Sequence, residues 1–182
     1  MYSPDHISSN DIVFLGDSLT ELFDFDEYFP GKFIKNRGIS GDTAPQVIYR
    51  LEEILKSSPL SLFLMIGIND IFNGYDNSTI NKNQEKIIKA LRERCPGTRI
   101  YVQSLLPVNE SVLLIDENIN PIIFDINDNL RASCKKLGVS YIDLHADFLN
   151  DHGQMDEAYT YDGAHLSKKG YELWANLIRK YL

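Results

Sequence analysis

The sequence Ile12-Val13-Phe14-Leu15-Gly16-Asp17-Ser18 carries four consecutive apolar residues directly into a glycine, an aspartate and a serine. This pattern predicts a buried strand that ends in a tight turn, with Ser18 at the point where the strand stops. In open parallel sheets, ligands bind just outside the carboxyl ends of the strands. Ser18 is therefore a candidate for chemistry, although the same residue types also form ordinary turns and helix N-caps.

Five apolar runs, including this one, have the length and composition of strands. They cover residues 12–15, 32–36, 60–66, 99–105 and 139–143. The run at 60–66 is almost wholly apolar, which is typical of a strand covered on both faces. The run at 32–36 is short and flanked by charge, which is typical of an edge strand.

Helical patterns separate these runs. Thr43-Ala44-Pro45-Gln46 resembles a capping box and predicts a helix that continues to residue 57. Further helices are predicted to begin at Ser78 or Thr79, at Asn120 and at Ser167. Strands that alternate with helices predict a parallel sheet with helices on both faces. The sequence shows no internal repeat and no linker, so we expect a single domain over residues 1–182.

The composition limits the partners and the compartment. The 182-residue chain has a formal net charge of −8, which disfavours nucleic acid or an anionic membrane surface as the main partner. Its longest apolar runs are too short to cross a bilayer, so no membrane insertion is expected. The N-terminus lacks the features of a signal peptide, and a cytoplasmic location is the default unless a leader has been trimmed. Cys95 and Cys134 fall in predicted helices and are interpreted as free thiols.

A serine becomes a nucleophile when a neighbouring base takes its proton, and histidine is the side chain that titrates near neutral pH. The chain has four histidines: His6, His145, His152 and His165. His165 is the best candidate for the base. Asp162 lies three residues earlier, with a glycine between them, so that its carboxylate can fold back onto the imidazole. A surface histidine in a turn before the last helix is the alternative.

Acyl transfer also needs hydrogen-bond donors for the charge that develops on the carbonyl oxygen. Residues 36–43 and residues 67–70 each follow a predicted strand and contain glycines that allow a close approach of backbone N–H groups. Asn69 adds a side-chain amide. Because parallel strands end at one edge of the sheet, these groups and Ser18 are expected to gather there.

Two other interpretations stay open at this point. Asp143, His145 and Asp147 alternate like metal ligands, but polar residues at a strand end explain the same pattern, and no further ligand cluster accompanies them. A phosphate or flavin binder could use the loop at residues 16–20. The chain has neither a Gly-x-Gly-x-x-Gly motif nor a Walker loop to support that function.

Four blocks together give the chain a specific resemblance. They are Gly16-Asp17-Ser18-Leu19, residues 38–43, Gly67-Ile68-Asn69-Asp70 and Asp162-Gly163-Ala164-His165. In this order the blocks resemble those of the SGNH hydrolases, also called the GDSL esterase/lipase family. The details resemble the platelet-activating-factor acetylhydrolase-like bacterial esterases within that family. Many members carry a proline after the histidine where this chain has Leu166, a departure that fits this subgroup.

The resemblance implies roles for particular residues. Ser18 would be the nucleophile, His165 the base and Asp162 the acid that orients it. The oxyanion hole would consist of the Ser18 and Gly41 backbone N–H groups and the Asn69 side-chain amide. The implied fold is a flavodoxin-like, three-layer α/β/α sandwich around a five-stranded parallel sheet, with no metal and no cofactor.

The resemblance also implies a serine esterase that hydrolyses carboxylic esters through an acyl-enzyme. The chain has no long insertion that could build a lid, which favours short acyl groups such as acetyl on a carbohydrate or similar small alcohol. A lysophospholipase or thioesterase for longer acyl chains is the alternative, as is a non-catalytic binding module of the same fold. The expected partner is a small-molecule ester, and the sequence does not determine the oligomeric state.

Overall fold

A computed structural model describes residues 6–114 and 118–182. Its sheet contains five strands, which are β1 (Ile12–Gly16), β2 (Ile34–Gly38), β3 (Ser61–Met65), β4 (Arg99–Gln103) and β5 (Ser140–Ile142). They lie in the order β2-β1-β3-β4-β5, and every neighbouring pair is parallel. The predicted α/β class and the five-stranded parallel sheet are therefore confirmed.

The helices connect these strands and cover both faces of the sheet. They are α1 (Ser18–Glu21), α2 (Phe25–Tyr28), α3 (Ala44–Arg50), α4 (Glu52–Ser57), α5 (Ile68–Phe72), α6 (Asn77–Arg94), α7 (Glu110–Leu113), α8 (Ile119–Leu137) and α9 (Lys168–Ile178). Short 3-10 turns lie at His145–Phe148, Glu157–Tyr159 and Arg179–Tyr181. No helix within the two described ranges is long and apolar enough to cross a membrane.

Side chains alternate across the sheet and divide the core into two layers. On one face, the ring of Phe14 stacks on that of Phe63 at a centroid distance of 4.5 Å, and Trp174 of α9 packs in the same cluster. On the other face, Val13 packs in a cluster with Val47 of α3 and residues from α4, α6 and α8. The sheet lies between these two apolar clusters, and helices cover each of them. The result is the three-layer α/β/α sandwich.

Several element boundaries differ from the sequence-based expectation. The helix predicted up to residue 57 is two helices, α3 and α4, which meet at Leu51. The edge strand begins at Ile34, two residues later than predicted, and the Phe33 side chain before it is 76% exposed. The capping box is present: Gln46 accepts a hydrogen bond from the Thr43 backbone N–H at 2.8 Å.

The predicted starts of α6 and α8 were wrong. Asp76 caps α6 by accepting a hydrogen bond from the Thr79 backbone N–H at 2.9 Å. Helix α8 begins at Ile119, one residue before the predicted cap Asn120. The Asn120 side chain does not cap the helix and instead forms hydrogen bonds with the backbone of Val108.

The strand order creates a crevice at one edge of the sheet. The chain leaves β1 toward β2 on one side and leaves β3 toward β4 on the other. In open parallel sheets, ligands bind where the connections diverge in this way. Ser18 follows β1 and Asn69 follows β3, so the fold places both residues beside this crevice.

Candidate active site

Ser18 is held by the turn that joins β1 to α1. It is the first residue of α1, and Asp17 caps the helix by accepting the Leu19 backbone N–H at 3.0 Å. A Cβ at Gly16 would lie 2.5 Å from the main-chain oxygen of Met65, so only glycine allows β1 to approach β3 this closely. Ser18 is only 9% exposed, and its hydroxyl has a defined direction.

The structure brings Ser18, His165 and Asp162 together. His165 Nε2 lies 3.0 Å from the Ser18 Oγ, and His165 Nδ1 lies 2.6 Å from the Asp162 Oδ2. A carboxylate beside Nδ1 favours the tautomer with the proton on that nitrogen. Nε2 can then accept the proton of the serine hydroxyl.

The carboxylate of Asp162 is stabilised in its ionised form. Burial acts to raise its pKa, but the hydrogen bonds from the His165 ring and from two backbone N–H groups outweigh that effect. These N–H groups belong to Ala164 and His165 and lie 3.0 Å and 2.7 Å from the Asp162 Oδ1. The pKa of Asp162 is therefore lowered, and the residue carries a negative charge beside His165 at neutral pH.

The turn that carries these residues depends on Gly163. Its φ is +95°, and a Cβ there would lie 2.6 Å from the main-chain oxygen of Asn109. Its N–H donates to the Thr160 Oγ1 at 2.8 Å, and its carbonyl accepts the Asn109 N–H at 2.7 Å. Gly163 thus lets the chain fold back so that Asp162 meets His165.

Gly41 lies in the loop after β2, and Asn69 lies in the first turn of α5, directly after β3. Gly41, with φ +82°, is the third residue of a turn closed by a 3.1 Å hydrogen bond from the Asp42 N–H to the Ile39 oxygen. The Asn69 side-chain amide donates to the main-chain oxygen of Asp42 at 3.0 Å. The structure therefore places the Asn69 amide against the residue that follows Gly41.

Two charged residues that the sequence analysis did not single out for the site fix these segments. The Arg50 guanidinium pairs with the Asp42 carboxylate at 2.7 Å and also donates to the main-chain oxygen of Gly16 at 3.0 Å. Buried Asp70 of α5 accepts the Ala44 N–H at 2.9 Å, which ties the helix after β3 to the start of α3. These residues link the ends of β1, β2 and β3.

A cavity of about 200 Å³ lies beside Ser18 and His165. Most of its walls are aliphatic or aromatic, and they include Met65, Ile68, Phe72, Leu105, Leu106, Pro107, Val108 and Leu113. Its polar lining consists of Asp17, Ser18, Asn69, Asp162 and His165. An apolar cavity with a few polar groups at one end suits a small apolar group attached to a polar one.

Two asparagines of α8 hold one wall of this cavity. The Asn127 side chain accepts the Leu105 N–H at 2.8 Å and donates to the Leu105 oxygen at 2.9 Å. The Asn120 side chain makes the same pair of hydrogen bonds to Val108, both at 3.0 Å. Leu105 and Val108 lie outside the strands, and these amides satisfy the backbone N–H and C=O groups of both residues.

Asp17 is a further titratable group at the site. It is fully buried, and the structure gives its Oδ2 no hydrogen-bond partner among the described residues. Burial raises the pKa of Asp17 to about 7, against hydrogen bonds that act to lower it. This carboxyl group therefore titrates near neutral pH, next to the nucleophile candidate.

The other histidines and the possible metal ligands lie elsewhere. Asp143 pairs with Arg131, and His145 lies at the far side of β5 near α8. Across the ranges that the structure describes, no group of three or more His, Cys, Asp or Glu side chains could hold a metal ion. Of the four histidines, His165 is the one that contacts Ser18.

The chain is similar to known proteins of one family. A model of the GDSL-like lipase/acylhydrolase family matches residues 14–173. Platelet-activating factor acetylhydrolase IB subunit alpha1 of Homo sapiens is 27% identical over 168 residues, which are 88% of this chain and 70% of that protein.

Solved structures show the same fold. A Streptococcus pneumonia protein whose name links it to platelet activating factor has a TM-score of 0.87 and 29% identity, over 98% of this chain and 86% of that one. The acetyl xylan esterase AlAXEase has a TM-score of 0.81 over 94% of this chain and 99% of its own. At 19% identity, the second likeness shows the fold alone.

Proposed function

Since the chain belongs to the GDSL-like lipase/acylhydrolase family, we propose that it is a serine esterase that hydrolyses carboxylic esters through an acyl-enzyme. The observation that carries the proposal is the continuous contact from Ser18 through His165 to Asp162. A hydroxyl, an imidazole and a carboxylate in this order can activate an otherwise weak nucleophile.

In the first half of the proposed reaction, the Ser18 Oγ attacks the ester carbonyl while His165 Nε2 takes the hydroxyl proton. The carbonyl oxygen becomes an oxyanion, and its donors are the N–H groups of Ser18 and Gly41 and the amide of Asn69. The tetrahedral intermediate then collapses. The bond to the alcohol breaks, and the alcohol leaves with the proton from His165.

In the second half, water attacks the acyl-enzyme while His165 accepts one of its protons. The bond between the Ser18 Oγ and the acyl carbon breaks, and the proton returns to the serine. The Asp162 carboxylate keeps the imidazole oriented and stabilises its protonated form in both halves. This proposed sequence involves no metal or cofactor in any step.

The acyl group is proposed to occupy the apolar cavity. The cavity beside Ser18 and His165 has a volume of about 200 Å³. This volume fits acetyl and other short acyl chains. An acetyl group agrees with the names of two similar proteins, an acetylhydrolase and an acetyl xylan esterase, and the alcohol is proposed to be a carbohydrate or another small alcohol.

Phe72 supports a second candidate, an esterase for longer acyl chains such as a lysophospholipase or thioesterase. This residue lines the cavity and is 44% exposed, so the apolar surface continues to the outside of the protein. A longer acyl group could extend out of the cavity along the Phe72 side chain. A series of p-nitrophenyl esters of increasing acyl length separates the two candidates, because a short-acyl enzyme loses kcat/KM as the chain outgrows the cavity.

The central test compares wild-type protein with Ser18→Ala on p-nitrophenyl acetate. A Ser57→Ala variant is the matched control. Ser57 lies in α4, far from Ser18 in the sequence, and its hydroxyl donates to the Glu53 main-chain oxygen of the same helix. Activity in the wild type and the control but not in Ser18→Ala supports the proposal.

A fluorophosphonate provides a second readout that does not depend on the natural ester. Its phosphorus forms a bond to the Ser18 Oγ and fluoride leaves, so the added mass should map to the peptide that contains Ser18. Equal hydrolysis by all three proteins, or labelling of another residue, would contradict the proposed nucleophile. No hydrolysis and no labelling would favour the non-catalytic binding module.

A further inference from the structure

Glu21 forms a contact between the helix of the proposed nucleophile and the turn that carries Gly41. It is the last residue of α1, three residues after Ser18. Its Oε2 accepts a hydrogen bond from the Ser40 backbone N–H at 2.8 Å and another from the Ser40 hydroxyl. Neither residue lines the cavity, so this contact has no part in the reaction steps given above.

The turn at residues 39–42 fixes the direction of the Gly41 N–H. Gly41 has φ +82°, whereas Ser40 is not among the described residues with positive φ, a combination that identifies a type II turn. Type I and type II turns differ by roughly 150° in ψ of the second residue, which reverses the peptide between the second and third residues. That peptide joins Ser40 to Gly41 and contains the Gly41 N–H.

The chain before this turn is packed tightly on α1. A Cβ at Gly38 would lie 2.1 Å from the Glu21 backbone nitrogen, and the Asn36 side-chain amide donates to the Thr20 oxygen at 2.8 Å. The Ile39 N–H donates to the Gly16 oxygen at 3.1 Å. Glu21 adds a contact between α1 and the next residue, Ser40, where the Ser40–Gly41 peptide begins.

We propose that Glu21 is a positioning residue for the oxyanion hole. Its carboxylate holds Ser40 so that the Ser40–Gly41 peptide keeps its orientation relative to the helix that carries Ser18. The inference rests on the proposed function, because it assumes that the Gly41 N–H stabilises the oxyanion. Glu21 acts through Ser40 and does not touch the substrate.

The kinetic test uses Glu21→Ala and two comparison variants with p-nitrophenyl acetate. Glu21→Ala is expected to lower kcat roughly 5- to 30-fold, a fraction of the effect of removing an oxyanion donor altogether, while KM changes less than about twofold. Glu21→Gln keeps an oxygen acceptor for the Ser40 N–H and should recover most of kcat. Ser40→Ala keeps that N–H and should stay within about threefold of the wild type.

A second readout measures the oxyanion hole without turnover. Butylboronic acid forms a bond between its boron and the Ser18 Oγ, the serine proton passes to His165, and the tetrahedral boronate places an oxygen in the oxyanion hole. Glu21→Ala should weaken inhibition by this compound by about the same factor as kcat, because both depend on the same donor. Thermal unfolding of each variant is measured in parallel.

The outcomes separate the inference from the proposed function. An inactive wild type that does not bind the boronic acid contradicts the proposed function and, with it, this inference. An active wild type whose Glu21→Ala variant keeps its kcat and its inhibition contradicts the inference alone. A loss that Glu21→Gln fails to recover, accompanied by a lower Tm in both variants, indicates a structural role and also overturns the inference.

Discussion

The side-chain amide of Asn69 donates a hydrogen bond to the main-chain oxygen of Asp42 at 3.0 Å. Asn69 follows β3 and Asp42 follows β2, and these two strands flank β1, the strand that leads to Ser18. The contact therefore connects α5 and the loop after β2, which lie on either side of the nucleophile candidate. It also orients an amide that has two N–H groups, of which this hydrogen bond uses one.

Replacing Asn69 with alanine should lower kcat by roughly 10²–10³-fold with a small change in KM, because an oxyanion donor acts when charge develops in the transition state. Steady-state kinetics on p-nitrophenyl acetate measure both constants. Asn73→Ala is the matched control, since the exposed Asn73 amide donates to the Asn69 main-chain oxygen at 2.7 Å and not to the loop of Gly41. A loss of the same size in both variants would indicate damage to α5 instead of a lost donor.

Replacing Asp162 with asparagine should lower kcat by up to about 10⁴-fold, because an amide N–H facing His165 Nδ1 favours the wrong tautomer of the imidazole. The side-chain oxygen of the new amide can still accept the Ala164 and His165 backbone N–H groups, so thermal unfolding should change little. Asp156→Asn serves as the control. Asp156 is a helix cap that accepts the Ala158 N–H at 2.8 Å. Wild-type turnover in Asp162→Asn would remove this carboxylate from the mechanism.

Local sequence patterns identified the residues that lie directly after a strand or just before a helix. Ser18 and Asn69 each follow an apolar run, and the strand order brings them together. Asp162 and His165 lie three residues apart, and a glycine between them is a local signal for a chain that folds back. For these residues, local spacing and the topology of a parallel sheet selected the candidates, whereas the pairing of His165 with Ser18 was implied by the resemblance to the SGNH hydrolases.

The supporting contacts could not be predicted in the same way. Asn127 binds the backbone of Leu105, 22 residues away, and Glu21 binds Ser40, 19 residues away. Such pairs depend on how far a helix is translated and rotated against a loop, which no local pattern specifies. Asn120 shows the consequence, because its preference for helix caps favoured the wrong boundary, whereas its side chain satisfies Val108.

Asp17 should make the stability of the protein depend on pH. Because burial raises its pKa to about 7, the folded state keeps a proton on this carboxyl group that the unfolded state has released above about pH 4. The free energy of unfolding should therefore fall as the pH rises from about 4 to above 7. By linkage, the loss from this one group is on the order of 4 kcal/mol.

The variant Asp17→Asn tests this pH dependence. Asparagine cannot ionise, and its side-chain oxygen can still accept the Leu19 N–H. Relative to the wild type, the variant should gain stability as the pH rises from about 4 to above 7, with a difference that levels off at higher pH. Urea unfolding at a series of pH values measures the difference. A stability difference that does not change with pH would show that Asp17 is ionised to the same extent in both states.

Gly163 should tolerate alanine much less well than Gly153, although both have positive φ, at +95° and +73°. A Cβ at Gly153 would meet no atom within 4 Å, so its substitution should cost only the backbone strain, about 1–2 kcal/mol. At Gly163 the Cβ would lie 2.6 Å from the Asn109 oxygen and 2.7 Å from the Leu113 Cγ, so the backbone must also move.

This movement should affect activity as well as stability, because Gly163 lies between Asp162 and His165. We expect Gly163→Ala to lose roughly 2–5 kcal/mol of unfolding free energy, from strain and overpacking together. Its kcat should fall more than about tenfold as the distance from the imidazole to Ser18 changes. Urea unfolding and p-nitrophenyl acetate kinetics on both variants provide the comparison. Equal losses in Gly163→Ala and Gly153→Ala would mean that the turn adapts to a side chain, and that the close approach to Asn109 is not what holds Asp162 against His165.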